Sequence, residues 1–362
     1  MSARTGNRVD RPDHRSGHRS DHRSAGFSRV RGFTRAVAAL ATVIAVGAVA
    51  ACSVAGARDD DVFRYQSTPG QVNAVQLADA LGFLDGVDVE LAGNVSGGPE
   101  ALQALASGSV DLASTYNGAL TKVVAAGLPV RGIVASYGFE PGYDLQLVVN
   151  GDSPITEARD LVGKRITVNT LGASLEAFVD TWLRAEGLTE EEIATVTYVP
   201  LPSISATEAV ASGEVDAGVT YTNVLNRVPD GSSFRTLLSY IEVNGAVTDG
   251  AWATSEKNIE QRPDQVRAIA TGTGRAYDWL RANGGDAARQ TLEEYFRAEG
   301  LAEHAEGLSF WDGTFGVGSP GGALHDEDFS RWHGWLIADE QVDGPIPSPR
   351  EVYTNEFNDA AA

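Results

Sequence analysis

Cysteine is almost missing from this chain, and positive charge is scarce. The single cysteine, Cys52, excludes a disulfide within the chain, because a bridge takes two. Lys and Arg number 28 against 49 Asp and Glu, a net charge of −21. A nucleic-acid groove needs cations to displace phosphate counterions, and this balance runs the other way. Histidine is sparse: beyond the first 35 residues only His304, His325 and His333 remain, without the clustered spacing of a zinc site. No Gly-x-Ser-x-Gly nucleophile elbow occurs. Gly316-Val317-Gly318-Ser319-Pro320-Gly321 matches a dinucleotide fingerprint formally, but no strand precedes it, and Pro320 makes it a loop. What is present is a globular composition, 43% hydrophobic and 21% charged. At 362 residues the chain outgrows one core, which stops near roughly 250–300, so two lobes are expected.

The first fifty residues read as a targeting piece. Residues 1–35 hold nine Arg against three Asp, a surplus of +6, so the remainder carries −27 of the total −21. The His-Arg-Ser triplets at 14–16, 18–20 and 22–24 belong to this basic region and are better read as disordered than as a metal tract. Residues 36–51 are uncharged and mostly apolar, shorter than the ~20 that span a bilayer. A basic flank, an apolar run and small residues before a boundary describe a secretory signal, here 1–51. Val49-Ala50-Ala51-Cys52 resembles a bacterial lipobox, which implies cleavage before Cys52 and a diacylglycerol on its thiol, with palmitate-like chains. Two or more such chains hold a soluble body on a membrane where one is marginal. The body is therefore expected outside the cytoplasm, behind a linker at 52–61.

The body reads as α/β. Val62-Phe63-Arg64-Tyr65-Gln66 has strand character, Val75, Leu77, Ala78 and Leu81 recur at helical spacing, and Val87-Asp88-Val89-Glu90-Leu91 alternates like a strand. Ser96-Gly97-Gly98-Pro99-Glu100 opens a helix, with Pro and an acid in the first turn. An internal repeat then stands out. Ala101 to Tyr116 and Ala206 to Tyr221 share Ala-x-x-Ala-[Leu/Val]-Ala-Ser-Gly-x-Val-Asp-x-x-x-Thr-Tyr, offset by 105 residues. That period is too long for a solenoid, whose units run about 20–50 residues. Two related lobes fit it, each with a helix ending at Gly108 or Gly213 and a buried strand running to a Thr-Tyr pair. Ligands of open α/β sheets sit beyond the carboxyl ends of strands, so both pairs are expected on one cleft. Between the copies, Gly163-Lys164-Arg165-Ile166-Thr167-Val168-Asn169 is a strand leading through Gly172 into a helix bearing Leu175, Phe178, Val179, Trp182 and Leu183. Ser174 is its expected N-cap, and the helix starts near Gly97 and Gly172 are either simple turns or anion sites.

These pieces resemble a known family. Leu81-Gly82-Phe83, Ser96-Gly97-Gly98-Pro99, Gly108-Ser109-Val110-Asp111, Ala126-Gly127-Leu128-Pro129-Val130, Asp160-Leu161-Val162-Gly163-Lys164, Asn169-Thr170-Leu171-Gly172-Ala173 and Tyr353-Thr354-Asn355-Glu356-Phe357 occur in family order. They are similar to the solute-binding proteins of ABC importers, in the nitrate/sulfonate/taurine and thiamine-precursor group (NMT1/THI5-like, SsuA-like). The resemblance implies a two-lobed type II periplasmic-binding fold, each lobe a mainly parallel sheet flanked by helices. Lobe 1 would hold 60–142 and 246–362, and lobe 2 residues 143–245. It also implies a monomeric receptor that delivers solute to a permease with a cytoplasmic ATPase. A sensing lipoprotein of the same fold is the alternative. A fungal relative of the fold makes a pyrimidine from its own His with pyridoxal phosphate. This chain offers only Lys122, Lys164 and Lys257 and keeps its histidines late, so neither a cofactor nor catalysis is expected.

The family's ligand loops fall here on Thr68, Gln71, Ser96, Gly97, Gly98, Thr115, Tyr116, Asn117, Gly172, Ala173, Ser174, Tyr221, Thr222 and Asn223. Tyr137, Tyr143 and Trp252 join Tyr116 and Tyr221 as rings for stacking, and Glu140, Asp144 and Asp249 are acids within reach of an amine. These loops contain no Arg or Lys, which argues for a neutral, zwitterionic or singly charged organic solute.

Overall fold

The computed structural model describes residues 62–228 and 233–362. The signal segment, Cys52 and the linker to residue 61 lie outside the described residues. Ten strands follow in chain order: β1 (Val62–Ser67), β2 (Asp88–Asn94), β3 (Ala113–Tyr116), β4 (Val130–Phe139), β5 (Leu145–Asn150), β6 (Arg165–Val168), β7 (Thr197–Pro200), β8 (Ala217–Tyr221), β9 (Phe234–Ser239) and β10 (Val247–Ser255). Among the helices, α1 (Ala74–Ala80) follows β1, α2 (Gly98–Ser107) follows β2, α3 (Asn117–Ala125) follows β3 and α4 (Ser174–Ala185) follows β6.

The strands form a β1-β2 pair, a β3-β10-β4 sheet and a β7-β6-β8-β5-β9 sheet. A parallel bridge from Tyr65 to Leu112 ties the first two together. Parallel pairing, as expected, joins β1 to β2, β6 to β7 and β6 to β8. The sheets are nonetheless mixed, because β10 runs antiparallel to β3 and β4, and β5 antiparallel to β8 and β9. The cause is topological: the chain leaves on β4 and returns on β10, and strands that carry it out and back must oppose each other.

Two large cores accompany these sheets. One gathers Phe63, Leu77, Leu102, Leu120, Trp252 and Phe329. The other gathers Leu147, Leu161, Ile166, Leu175, Leu183 and Val219. Burying one such side chain stabilises by roughly 1.5–3 kcal/mol, so each core suffices to set its sheet. Helix α4 touches both: Leu175, Phe178 and Val179 face the second core, while Ala177 and the preceding Ala173 join the first. On the same side Arg184 pairs with Asp339 at 2.8 Å, tying α4 to the C-terminal segment.

The two repeat copies build the same local device. Helix α2 stops at Gly108 and the helix Ala206–Ala211 stops just before Gly213, with φ of 72° and 74° that a side chain would resist. Asp111 then accepts from the backbone N–H of Arg64 at 3.1 Å, and Asp216 from that of Arg165 at 2.9 Å. Each aspartate thereby pins its copy to the neighbouring strand.

Candidate functional site

A cavity of about 620 Å³ opens where the loops at the strand ends meet. That is ample for a small organic solute, since such sites run roughly 300–1,000 Å³. The β1–α1 loop supplies Thr68 and Gln71, the β2–α2 turn Ser96, Gly97 and Gly98, and β3 supplies Thr115 and Tyr116. The second sheet contributes Ala173 and Ser174 at the start of α4, with Tyr221 and Asn223 after β8. Tyr137, Tyr143 and Trp252 complete the ring-bearing wall. Gly98 is required here by close approach, since a Cβ on it would lie 2.3 Å from Thr115 Oγ1 and 2.9 Å from Thr115 Cα.

Three expected residues sit behind the wall. Asn117 is fully buried, its Nδ2 donating to the carbonyls of Thr248 (3.4 Å) and Asp328 (3.2 Å). Thr222 turns its hydroxyl onto the Asp144 backbone, accepting from N at 2.7 Å and donating to O at 3.0 Å. Gly172 adopts φ +66° and accepts from the Tyr116 hydroxyl at 3.2 Å, so it closes the seam between the sheets without lining the cavity. Ser174 is the first residue of α4, not its cap; Glu176 reaches back to the Gly172 N–H at 2.8 Å instead. Glu100 does the same at α2, accepting from Ser96 N at 2.8 Å. Both helix starts thus already hold a carboxylate at their positive ends.

The three acids expected within reach of an amine are also off the wall. Asp144 accepts from the Ser239 hydroxyl at 2.6 Å and the Ile241 N–H at 3.1 Å, and Glu140 from the Thr314 hydroxyl. Asp249 accepts from the Tyr240 hydroxyl at 3.0 Å, and burial pushes its carboxyl up to about 6. Burial raises Tyr116, Tyr137, Tyr143 and Tyr221 well above the usual phenol range, leaving neutral hydroxyls on the wall. Tyr221 stacks on Tyr143, with centroids 6.4 Å apart and planes at 13°.

Several wall residues escaped sequence reasoning. Asn169 ends the β6 pattern and Arg227 follows Asn223 by four residues, so proximity to an expected loop was the available signal. Trp311, Thr314 and Phe315 come from an aperiodic C-terminal stretch and left none. Eight buried polar atoms on this wall find no protein partner among the described residues: Gln66 Oε1, Asn73 Nδ2, Thr115 Oγ1, Ser136 Oγ, Asn169 Oδ1, Asn223 Oδ1, Arg227 Nε and Trp252 Nε1. An unmet group of this kind costs about 1–3 kcal/mol, and these cavity-lining residues carry polar atoms that the described protein leaves unpaired. Among the described residues the wall carries no His, Cys, Lys, Asp or Glu, and no group of three or more His, Cys, Asp or Glu is arranged to hold a metal.

This architecture is the type II periplasmic-binding fold. The chain belongs to the NMT1/THI5-like family, whose model matches residues 71–287. No curated protein sequence matches it. The alkanesulfonate-binding protein SsuA of Xanthomonas axonopodis pv. citri, solved with MOPS, superposes with a TM-score of 0.61 at 18% identity, over 81% of this chain and 99% of its own. The periplasmic nitrate-binding protein NrtA of Synechocystis PCC 6803 gives 0.60 at 13%, over 82% and 87%. The desulfurization enzyme DSZB gives 0.54 at 19%, over 82% and 97%. These likenesses establish the shared fold. No helix among the described residues is long and apolar enough to cross a membrane.

Proposed function

We propose that this chain is an extracytoplasmic solute-binding protein of the ABC-importer type. It captures a small organic solute between lobes formed by 60–142 with 246–362 and by 143–245, and delivers it to a permease driven by a cytoplasmic ATPase. Ligand binding draws an open–closed balance toward closure. Residues 1–51 export the chain, and an acylated Cys52 holds it at the membrane through the 52–61 linker.

The observation that carries this reading is the cavity shared by the two sheets, with both repeat tyrosines on its wall. SsuA and NrtA, named for the sulfonates and nitrate they bind, lend support from the same fold. DSZB is an enzyme on that fold. This cavity offers neutral tyrosines and no carboxylate, imidazole, thiol or amine among its described lining, which favours holding a solute over transforming it.

Native mass spectrometry of freshly purified protein tests the reading: a bound organic mass is expected, with a smaller radius of gyration by scattering when that solute is restored. Tight binding of nitrate or sulfate with no organic ligand would refute the organic assignment, and turnover of a bound solute would refute the receptor. Mass analysis of the membrane fraction should find an N-terminus at Cys52 carrying acyl chains.

A further inference from the structure

Arg227 is the one charged side chain on the cavity wall among the described residues. It lies just past the short helix Thr222–Leu225 that follows the second repeat. Its guanidinium carbon sits 4.7 Å from the centre of the Phe310 ring, and a Cβ placed on Gly70 would lie 4.0 Å from its Nη2. The Nε is buried and meets no acceptor from the described protein. Other partly buried arginines are paired: Arg184 with Glu190 and Asp339, Arg262 with Asp111. For Arg227 burial alone acts, lowering its pKa, with no carboxylate opposing it. Asp312 accepts from Asn226 Nδ2 at 2.7 Å through Oδ1 while its buried Oδ2 meets no partner among the described residues, and Glu140 accepts from Thr314. At the two helix starts, Glu100 and Glu176 place negative charge in the first turns, accepting from Ser96 N and Gly172 N.

We propose that Arg227 selects the charge of the solute, pairing with the oxyanion of a singly negative organic molecule whose apolar body lies against the aromatic wall. This rests on the receptor reading above. The arginine fork fits the two oxygens of a carboxylate or sulfonate. A second negative charge would meet no second cation on the described wall.

Calorimetric titration with benzenesulfonate and benzoate, their neutral isosteres benzenesulfonamide and benzamide, and benzylammonium tests the assignment. The purified protein should prefer an anion to its isostere by about 10- to 100-fold, the scale of one charge-assisted hydrogen-bonded pair. Arg227→Gln should bring that ratio near one, and Arg227→Lys should restore part of it. Which anion binds tighter tells carboxylate from sulfonate. An unchanged ratio in Arg227→Gln, or a preference for the neutral or cationic members, overturns the assignment and leaves the receptor reading standing. Failure of every solute, together with a ligand-free native mass, overturns both.

Discussion

In the first copy of the repeat, Asp111 is walled in: its side chain is 2% exposed, and it pairs with Arg262 at 3.2 Å. In the second, Asp216 is 37% exposed, and its cation, Lys164, stands 3.8 Å away. The tyrosines differ in the same sense. Tyr116 is buried and donates across the seam to Gly172, while Tyr221 is half-buried and stacks on Tyr143. One pattern therefore serves two ends. The first copy is scaffold that reaches over to the other sheet. The second is looser and ends a few residues before Arg227.

The largest expected effect compares the two aspartates. Asp111→Ala strands Arg262 beside the core and should cost about 3–5 kcal/mol in urea unfolding. Asp216→Ala should cost about 0.5–1 kcal/mol, the range of an exposed pair with one hydrogen bond. Equal losses would abolish the distinction. Next comes Gly98→Ser, which gives the first copy the residue that stands 105 positions on, Ser203. Its Cβ would collide with Thr115, so about 1–3 kcal/mol of stability and the solute-binding signal in calorimetry should both be lost. Tyr116→Phe should then cost about 0.5–1.5 kcal/mol by losing its bond to Gly172, and Tyr221→Phe less than about 0.5, measured by the same melts. A pH-dependent effect tests what the two tyrosines share, since the Asp249 charge acts on both, secondary to burial. A carboxyl raised from 3.8 to about 6 favours folding while protonated; its penalty is absent below its unfolded pKa and complete above its folded one. Asp249→Asn should therefore melt above the unaltered protein at pH 8, by on the order of 1 kcal/mol, and level with it below about pH 3.

The repeat, the strand patterns and the ligand loops were legible because local rules govern them. Alternation gave β1 and β2, Pro99 gave the start of α2, and Gly108 and Gly213 gave the two stops. Orientation was not legible. Whether Asn117 faces solute or core depends on Thr248 and Asp328, far along the chain, and whether a helix start is free depends on where Glu100 or Glu176 turns. Mixed pairing was hidden likewise, since the strand that opposes β3 arrives from beyond the second sheet. Arg227 escaped because the helix Thr222–Leu225 is too short to carry the chain away from the cavity.

The position of β10 bears on the order of assembly. Trp252 lies between Ser114 and Val134 in the middle of its sheet, yet it is synthesised after all five strands of the other one. The later sheet can knit from a contiguous stretch, whereas the earlier one must wait with two open edges until its central strand emerges. Contacts this distant in sequence form slowly. A chain so built stays unlocked while much of its length is still being made.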